Sequence, residues 1–586
     1  MNKIRRCRGD PPDRSPSSMG AHTSSSQVRL HGVHKSSIEV ARKRLLLGAG
    51  LFIVGFFVVS LRLVEVALFS EPHHLSARNE SIKTGVGPAR ADIVDRNGVV
   101  LATSLTAQSL HANPLDIRNP LSAAARLAGV LPELDSREVV LRLKSDKRFV
   151  WLKRHLTPRQ VSEVNALGEP GFKFEEEPRR VYPHGSLVAH AIGYAKLDNR
   201  GLGGLEHSYD ERLLAHPNNA LSTSIDIRFQ YVMHEELMNA VLMHQALGAV
   251  GIILDITTGG MRALVSLPDF DPNDGRIIPS RALFNRATLG AYEMGSTFKV
   301  FTTAMALDQG MMTLQDGFDT SEPLRIGGKV IKDFHGKARW LSVPEIFIYS
   351  SNIGAAKMAL AVGSKVQRAF LAKLGMLTRS DLELPEVGAP LYPDPWREVH
   401  TATIGFGHGI AVNAVQLTAG IAAVINGGFY RPPTLIARNE EHGIQQRVVS
   451  ASTSRSIRQL LRLAVTHGTG GKAEVAGYWV GGKTGTAEKV GSRGYDQEKV
   501  LSSFVGVFPI TDPRYLVFAM LDEPKGTSAT HGYATGGWTA APVVRRVIAR
   551  IGPISGMAPV TSIASVDGSP TTVISLDGNE IHLAAY

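Results

Sequence analysis

Residues 249–267 read AVGIILDITTGGMRALVSL, and this stretch decides the fold class. Two apolar runs rich in β-branched side chains, 249–255 and 261–267, flank the turn residues Thr257-Thr258-Gly259-Gly260. Apolar runs of this length around a glycine-containing turn are typical of two strands joined as a hairpin. We therefore expect this hairpin to belong to the central sheet of the C-terminal half of the chain.

The patterns that follow alternate between helices and strands. Helical patterns cover 296–307, 344–375 and 415–426, strand patterns cover 478–483, 501–508 and 515–521, and a last helix is expected near 542–551. Strands, then helices, then strands again predict one sheet packed between helices, an α/β (α+β) domain that we place at 241–555. Residues 70–240 mix short strand-like and helix-like pieces, which predicts a separate mixed, β-rich domain. Residues 556–586 form a weakly patterned C-terminal tail.

The first 44 residues form a basic tail. They carry ten Lys or Arg against three acidic residues, a charge of +7 out of the formal net charge of +11 for all 586 residues. Residues 10–37 are rich in Ser and Pro, which predicts disorder. Since a nucleic-acid binder more often carries its basic patch on a folded domain, this distribution gives no support for nucleic-acid binding.

An uncharged run follows the tail at residues 45–61, LLLGAGLFIVGFFVVSL. Seventeen residues of helix span about 26 Å, slightly under the roughly 30 Å hydrocarbon core of a bilayer, and the apolar residues at 63, 64 and 66–69 would extend the helix into the interface. The alternative is a removed signal peptide, but no A-x-A cleavage site follows the run. We predict a single transmembrane anchor at 45–69, with the basic tail cytoplasmic and the rest on the periplasmic side of a bacterial inner membrane.

Cysteine and histidine give no sign of a metal site. The chain has one cysteine, Cys7, which rules out a disulfide framework or a cysteine cluster. The 20 histidines show no convincing metal spacing. We expect no metal and no cofactor.

The candidate nucleophile and its base are found in Ser296-Thr297-Phe298-Lys299, the only S-x-x-K sequence in the chain. Residues three apart on a helix share a face, so Ser296 and Lys299 are expected to be neighbours. A serine hydroxyl needs a base to become a nucleophile, and a lysine whose pKa is lowered by burial can be that base. The motif is weak alone, because a Ser three residues before a Lys arises by chance.

Two further motifs follow in order. Ser350-Ser351-Asn352 supplies a hydroxyl and an amide that could relay a proton and hold a substrate carbonyl. Lys483-Thr484-Gly485-Thr486 supplies a charge and hydroxyls for a substrate carboxylate, and Gly485 would let substrate backbone approach the strand. The backbone N–H groups of Ser296 and Thr486 would form an oxyanion hole.

The order of these motifs carries more weight than any one of them. Ser350 follows Ser296 by 54 residues, and Lys483 follows Asn352 by 131 residues. The order S-x-x-K, S-x-N, K-T-G is that of penicillin-binding proteins and class A β-lactamases. A second K-T-G, Lys83-Thr84-Gly85, precedes the serine and has no strand pattern before it. We interpret that upstream match as coincidence.

The chain resembles class B penicillin-binding proteins, which are membrane-anchored peptidoglycan D,D-transpeptidases. The resemblance spans residues 45–550 and includes the pedestal, or dimerisation-type, domain. Its motifs there are Arg90-Ala91-Asp92-Ile93-Val94-Asp95-Arg96-Asn97-Gly98, Arg180-Val181-Tyr182-Pro183-His184-Gly185 and Gly203-Gly204-Leu205-Glu206. Two positions depart from the family pattern: Ala91 replaces a glycine, and Met294 replaces the proline common two residues before the serine.

Within the family, residues 350–354, SSNIG, and residues 405–412, GFGHGIAV, resemble the division-specific members of the FtsI type. Elongation members usually carry aspartate where Asn352 stands. The resemblance therefore implies septal wall synthesis. It also implies as partners an FtsW-type lipid II polymerase and other divisome proteins at the anchor and pedestal.

The resemblance implies acyl transfer in two steps by a serine-type enzyme of the D-Ala-D-Ala carboxypeptidase class. Ser296, deprotonated by Lys299, would attack the penultimate D-Ala of a stem peptide ending in D-Ala-D-Ala. An amine of a neighbouring stem would then attack the acyl-enzyme to form a cross-link. A β-lactam would mimic the dipeptide and acylate Ser296.

Four alternatives stay open at this point. The main competitor is an elongation-specific transpeptidase. A β-lactamase or β-lactam sensor shares the motifs but does not need the pedestal. An inactive divisome scaffold would not need intact motif residues. A bifunctional enzyme would need a glycosyltransferase module before the serine, and the sequence shows none.

Overall fold

The computed structural model describes residues 44, 46–61, 89–274, 278–438, 446–491, 494–560, 572–576 and 579–583. The chain divides into two units, Met1–Thr84 and Gly85–Tyr586. Most of the predicted basic tail and the upstream Lys83-Thr84-Gly85 lie outside the described residues.

In the first unit, residues 46–61 form a helix with exposed side chains. Residue 45 and residues 62–69 of the predicted anchor lie outside the described part of the chain. No helix within the described ranges is both long enough and apolar enough to cross a membrane.

The second unit begins with a small mixed domain, here called the pedestal. Its strands are β1 (Ile93–Val94), β2 (Val100–Ala112), β3 (Val150–Leu156), β4 (Phe172–Val181) and β5 (Leu221–Ser222). The long strand β2 pairs antiparallel with β1, β3 and β4, and β1 pairs parallel with β5. Its helices are α1 (Pro120–Val130), α2 (Ser136–Leu143), α3 (Pro158–Asn165), α4 (Ala189–Ile192), α5 (Gly204–Ser208) and α6 (Asp210–Ala215). The predicted β-rich mixture is therefore present.

A buried charge network joins the three pedestal motifs. The guanidinium of Arg90 donates from Nε to Glu206 at 2.8 Å and also contacts Asp210. Arg180 donates to the other oxygen of the Glu206 carboxylate at 2.6 Å. Arg90 and Glu206 have no exposed side-chain surface, so their opposite charges compensate each other away from water.

The second domain is built on a five-stranded antiparallel sheet. Its order is β14 (Gly481–Gly491), β15 (Gly494–Phe508), β16 (Tyr515–Asp522), β6 (Gly248–Asp255) and β7 (Met261–Leu267). The predicted hairpin is the β6–β7 pair. Alternate residues of β6 enter different cores: Val250 and Ile252 lie in one, and Ala249 and Ile253 lie in the other. This period of two places the sheet between two helical layers.

The two layers use different helices. The layer that contains Ala249 and Ile253 is formed by α7 (Ile227–His244) and α16 (Ala540–Ile554). The opposite layer contains α9 (Lys299–Asp308), α14 (Ala414–Ile425) and α15 (Ala451–Thr466). The remaining helices of this domain are α8 (Ser280–Leu283), α10 (Val343–Ile348), α11 (Asn352–Val362), α12 (Ser364–Lys373) and α13 (Glu398–Ile404).

Short strand pairs complete the domain. They are β8 (Gly317–Asp319) with β11 (Trp340–Ser342), β9 (Leu324–Ile326) with β10 (Lys329–Ile331), and β12 (Phe429–Tyr430) with β13 (Gln446–Arg447). The C-terminal tail holds a further hairpin, β17 (Thr572–Leu576) with β18 (Asn579–Leu583). Leu576 is buried in the main core, so part of a tail with little sequence pattern packs on the domain.

One predicted strand boundary is wrong. The apolar residues 478–480 precede the strand instead of forming it, because residues 476–478 turn and Trp479 adopts a φ of 42°. Strand β14 begins at Gly481, so the K-T-G-T motif lies within its first half. A turn that packs apolar side chains on the core has the same sequence pattern as a short buried strand, so the pattern alone does not distinguish them.

Candidate active site

Ser296 lies in a tight turn immediately before helix α9. Residues Gly295–Phe298 form a 3₁₀ turn, and the α-helix begins only at Lys299. In such a turn residues three apart eclipse one another, which aligns the serine with the lysine more directly than an α-helix would. Gly295 has a φ of +54°, and a Cβ atom there would lie 2.5 Å from the carbonyl oxygen of Thr486. The turn therefore needs glycine both for its conformation and for its packing on β14.

Lys299 is held by four acceptors. Its Nζ lies 3.0 Å from Ser296 Oγ, 2.6 Å from the carbonyl oxygen of Ser350, 3.1 Å from Ser350 Oγ and 2.8 Å from Asn352 Oδ1. Burial, and then the charge of Lys483, lower the pKa of Lys299 well below its ordinary value. Lowering this pKa favours the neutral amine, the form that can take a proton from Ser296.

Ser350 connects the two lysines. It has a φ of +60° in the bend between α10 and α11, and its hydroxyl accepts hydrogen bonds from Lys299 and from Lys483, the latter at 2.9 Å. Lys483 is fully buried, and burial lowers its pKa to about 7. A proton path from the first lysine through a hydroxyl to the second is therefore in place.

Asn352 is committed at both ends of its amide. Its Oδ1 accepts from Lys299, and its Nδ2 donates to the carbonyl oxygen of Lys332 at 3.1 Å. The amide therefore fixes the position of Lys299, and its expected contact with a substrate carbonyl stays a prediction.

Asp333 belongs to the site although its sequence context gave no sign of it. Its carboxylate accepts from Ser351 Oγ at 2.7 Å, from the backbone N–H of Asn352 at 2.5 Å and from that of Ile353 at 3.0 Å. The carboxylate thus caps the N-terminus of α11, where negative charge is favoured. It also raises the pKa of Lys299, a smaller effect than burial.

The remaining K-T-G-T residues line β14. This strand ends the sheet, so one of its edges has no strand partner in the part of the chain that is described. The hydroxyl of Thr484 lies 2.7 Å from that of Thr469, and its part in binding a substrate carboxylate stays a prediction. The hydroxyl of Thr486 accepts from the backbone of Gly536 at 3.2 Å.

Gly485 is required by packing inside the protein. A Cβ atom there would collide with Ser503 Oγ and would lie 2.9 Å from Thr297 Cγ2 and 3.0 Å from the carbonyl oxygen of Met294. The glycine therefore lets β14 lie directly against the serine turn. Within the described ranges, no group of three or more side chains could hold a metal ion.

The structure thus brings together Ser296, Lys299, Ser350, Asn352 and Lys483, although they come from three distant parts of the sequence. The hydroxyl of Ser296 lies beside the amine of Lys299, whose lowered pKa favours the neutral form, and this arrangement suits nucleophilic attack on a carbonyl. A second, partly charged lysine and an unpaired strand edge suit a peptide that ends in a carboxylate. This combination supports acyl transfer on an extended peptide.

Comparison with known proteins agrees with this chemistry. Residues 249–549 match the penicillin-binding protein transpeptidase domain, and residues 86–220 match the penicillin-binding protein dimerisation domain. The chain is 36% identical to the probable peptidoglycan D,D-transpeptidase FtsI of Caulobacter vibrioides over 90% of this chain and 91% of that protein. It is 30% identical to peptidoglycan D,D-transpeptidase FtsI of Escherichia coli K12, over 86% and 90%.

A solved structure shares the fold. Penicillin-binding protein 3 from Mycobacterium tuberculosis, complexed with ampicillin, superposes with a TM-score of 0.65. The match covers 82% of this chain and 98% of that one at 24% identity.

Proposed function

The chain belongs to the penicillin-binding protein transpeptidases of the FtsI type, and we propose that Ser296 is its nucleophile. The protein is a peptidoglycan D,D-transpeptidase and a β-lactam target. The observation that carries this assignment is the 3.0 Å contact between Ser296 Oγ and the amine of Lys299. Burial of that amine disfavours its charged form, so Lys299 is the base that activates the serine.

Each neighbour has a distinct part in acylation. Ser296 attacks the carbonyl of the penultimate D-Ala, and Lys299 takes its proton. Ser350 passes that proton to the nitrogen of the leaving D-Ala, because its hydroxyl contacts both lysines. Lys483 attracts the terminal carboxylate of the stem peptide, and Asn352 orients Lys299.

The substrate backbone adds to the free edge of β14. There Thr484, Gly485 and Thr486 provide the strand, and the backbone N–H groups of Ser296 and Thr486 stabilise the tetrahedral oxyanion. Losing one such donor typically slows acyl transfer by a factor of about 100 or more. The reaction uses no metal and no cofactor.

The cellular setting is division at the inner membrane. The division-type motif Ser350-Ser351-Asn352 and the similarity to proteins named FtsI support work at the septum over work in elongation. The uncharged run at 45–61 after a basic tail supports a single anchor with the enzyme in the periplasm. An FtsW-type lipid II polymerase and other divisome proteins are the partners that this setting implies.

Covalent labelling with a fluorescent penicillin tests the assignment. Membranes with the wild type and with the control variants Lys83→Ala and Ser321→Ala should carry label, whereas Ser296→Ala should carry none. Ser321 is an exposed serine, which makes it a matched control. Label on Ser296→Ala would refute the nucleophile. A label that is quickly lost from the wild type would indicate a β-lactamase.

Depletion of the protein followed by microscopy tests the division role. Filamentous cells are expected, because septation stops while elongation continues. Rounded cells would contradict the proposal and favour the elongation paralogue.

A further inference from the structure

The second half of the reaction needs a group that the acylation machinery does not supply. The acceptor amine of a stem peptide is an ammonium ion at neutral pH and must lose a proton before it can attack the acyl-enzyme. Lys299 and Lys483 repel a cation whenever they are charged. A carboxylate near Ser296 with a free oxygen lone pair would attract the ammonium ion and would also accept its proton.

Glu293 is such a carboxylate. It lies three residues before Ser296 and is half-buried, so it remains reachable from solvent. Its Oε1 accepts from the backbone N–H of Gly409 at 2.9 Å, and its two oxygens lie 3.1 and 3.0 Å from the hydroxyl of Tyr495. Two donors leave further lone pairs open, since a carboxylate offers about four acceptor positions.

The other carboxylate of the site is already occupied. Asp333 accepts three hydrogen bonds and caps α11. Glu293 lies beside the loop at 405–409, because the backbone N–H of Gly409 donates to its carboxylate. The backbone N–H of Gly295 donates to the carbonyl oxygen of Gly407 in the same loop at 3.3 Å. The two carboxylates therefore contact different segments of the site.

The groups around Glu293 keep it available as a proton acceptor. The ring of His408 lies between Phe406, at 5.1 Å, and Tyr495, at 5.3 Å. Burial, and then the charge of Lys299, lower the pKa of His408 to about 4, so this ring is neutral at neutral pH and does not pair with Glu293 as a cation. Burial raises the pKa of Glu293, which makes its carboxylate a better proton acceptor than an exposed one.

We propose that Glu293 binds the ammonium of the acceptor stem peptide and takes one proton from it, an inference that rests on the transpeptidase function above. The freed amine attacks the acyl carbonyl carbon and forms the new C–N bond. Lys299 takes a second proton from that nitrogen and passes it to Ser296 Oγ as the C–O bond breaks. Glu293 then releases its proton to solvent, so the charges and protons balance.

The test uses one acyl donor and compares two fates of the acyl-enzyme, transfer of the acyl group to an amine and hydrolysis by water. The purified full-length protein receives a thioester analogue of the stem-peptide end, with D-alanine as the amine, and both products are quantified. Glu293→Gln keeps the size and the hydrogen bond from Gly409 but removes the negative charge. The ratio of transfer to hydrolysis should fall at least tenfold in Glu293→Gln and should recover partly in Glu293→Asp. Glu235→Gln, a charge change on the far helix α7, is the matched control and should keep the wild-type ratio.

Acylation by a fluorescent penicillin is measured on the same preparations. It should stay within about threefold of wild type in Glu293→Gln, because acylation needs no acceptor amine. An unchanged transfer-to-hydrolysis ratio overturns the proposal. Equal losses of acylation and transfer also overturn it, since they indicate a purely structural part for Glu293. If the wild type hydrolyses the thioester but transfers no acyl group to D-alanine, this proposal alone is overturned. If the wild type takes no label from the fluorescent penicillin, the proposed function itself is overturned.

Discussion

Replacing Asp333 by asparagine should slow acylation without unfolding the protein. The carboxylate accepts from Ser351 Oγ, from the N–H of Asn352 and from the N–H of Ile353 at 2.7, 2.5 and 3.0 Å. Both backbone donors use one oxygen, which asparagine keeps, while the serine donates to the other oxygen, which becomes an NH₂ group. The variant therefore weakens two charge-assisted bonds and removes the third.

The magnitude follows from typical hydrogen-bond values. Bonds to a charged group contribute about 1.5–3 kcal/mol each and neutral ones about 0.5–1.5 kcal/mol. Weakening two bonds and losing one removes about 3.5–6 kcal/mol from the ordering of the bend at Ser350. If about half of this loss appears in the barrier, acylation slows by a factor of about 20–150, since each 1.36 kcal/mol is tenfold.

The assay is the second-order rate of acylation by a fluorescent penicillin, followed with thermal unfolding. The matched control is Asp319→Asn, because Asp319 also accepts a backbone N–H, that of Ser321 at 3.0 Å, but is exposed and does not shift the pKa of Lys299 or Lys483. Asp333 raises the pKa of Lys299, so the acidic limb of the pH profile should also move to lower pH in the variant. An acylation rate within threefold of wild type would refute the reasoning.

Three further predictions concern other parts of the second unit. Lys483→Gln should move the acidic limb of the acylation pH profile to higher pH, because the charge of Lys483 lowers the pKa of Lys299 and its removal lets that pKa rise; a limb that stays in place or moves down would contradict this. Gly536→Ala should reduce both acylation and melting temperature, because a Cβ atom there would overlap carbonyl oxygens of β14 and β15; wild-type behaviour in both assays would argue against that close packing. Arg90→Leu should lower the free energy of unfolding by about 1.5–3 kcal/mol, since the buried carboxylate of Glu206 loses one of its two charged partners and keeps only Arg180, and chemical denaturation would show this; a loss under 1 kcal/mol would mean that Arg180 alone satisfies the carboxylate.

Much of the site was predictable because its motifs are local. Ser296 and Lys299 are neighbours through covalent spacing alone, and a turn or a helix brings them together in either case. The hairpin of β6 and β7 was equally predictable, because apolar runs around a glycine turn have few other solutions. The start of β14 was not predictable, because the turn before it is as apolar as a strand.

The parts that depend on distant contacts could not be predicted. Asp333 stands in an irregular stretch, and only the fold places it against the N-terminus of α11. The hydroxyl contact of Thr484 with Thr469 also depends on the fold, because it joins two segments that are 15 residues apart. Glu293 lies close to the serine in sequence, but its donors come from a loop and a hairpin more than 100 residues away.

The sequence by itself determined which candidate hydroxyls and amines the chain carries, in what order they occur, and the class of domain that holds them, a sheet packed between helices. Hydroxyls, amines and periodic apolar residues are readable one position at a time. The tertiary structure alone decided the protonation states and the orientation of the groups. Lys299 has a low pKa because folding removes it from water and places Lys483 nearby, and both effects depend on the positions of atoms that are far apart along the chain.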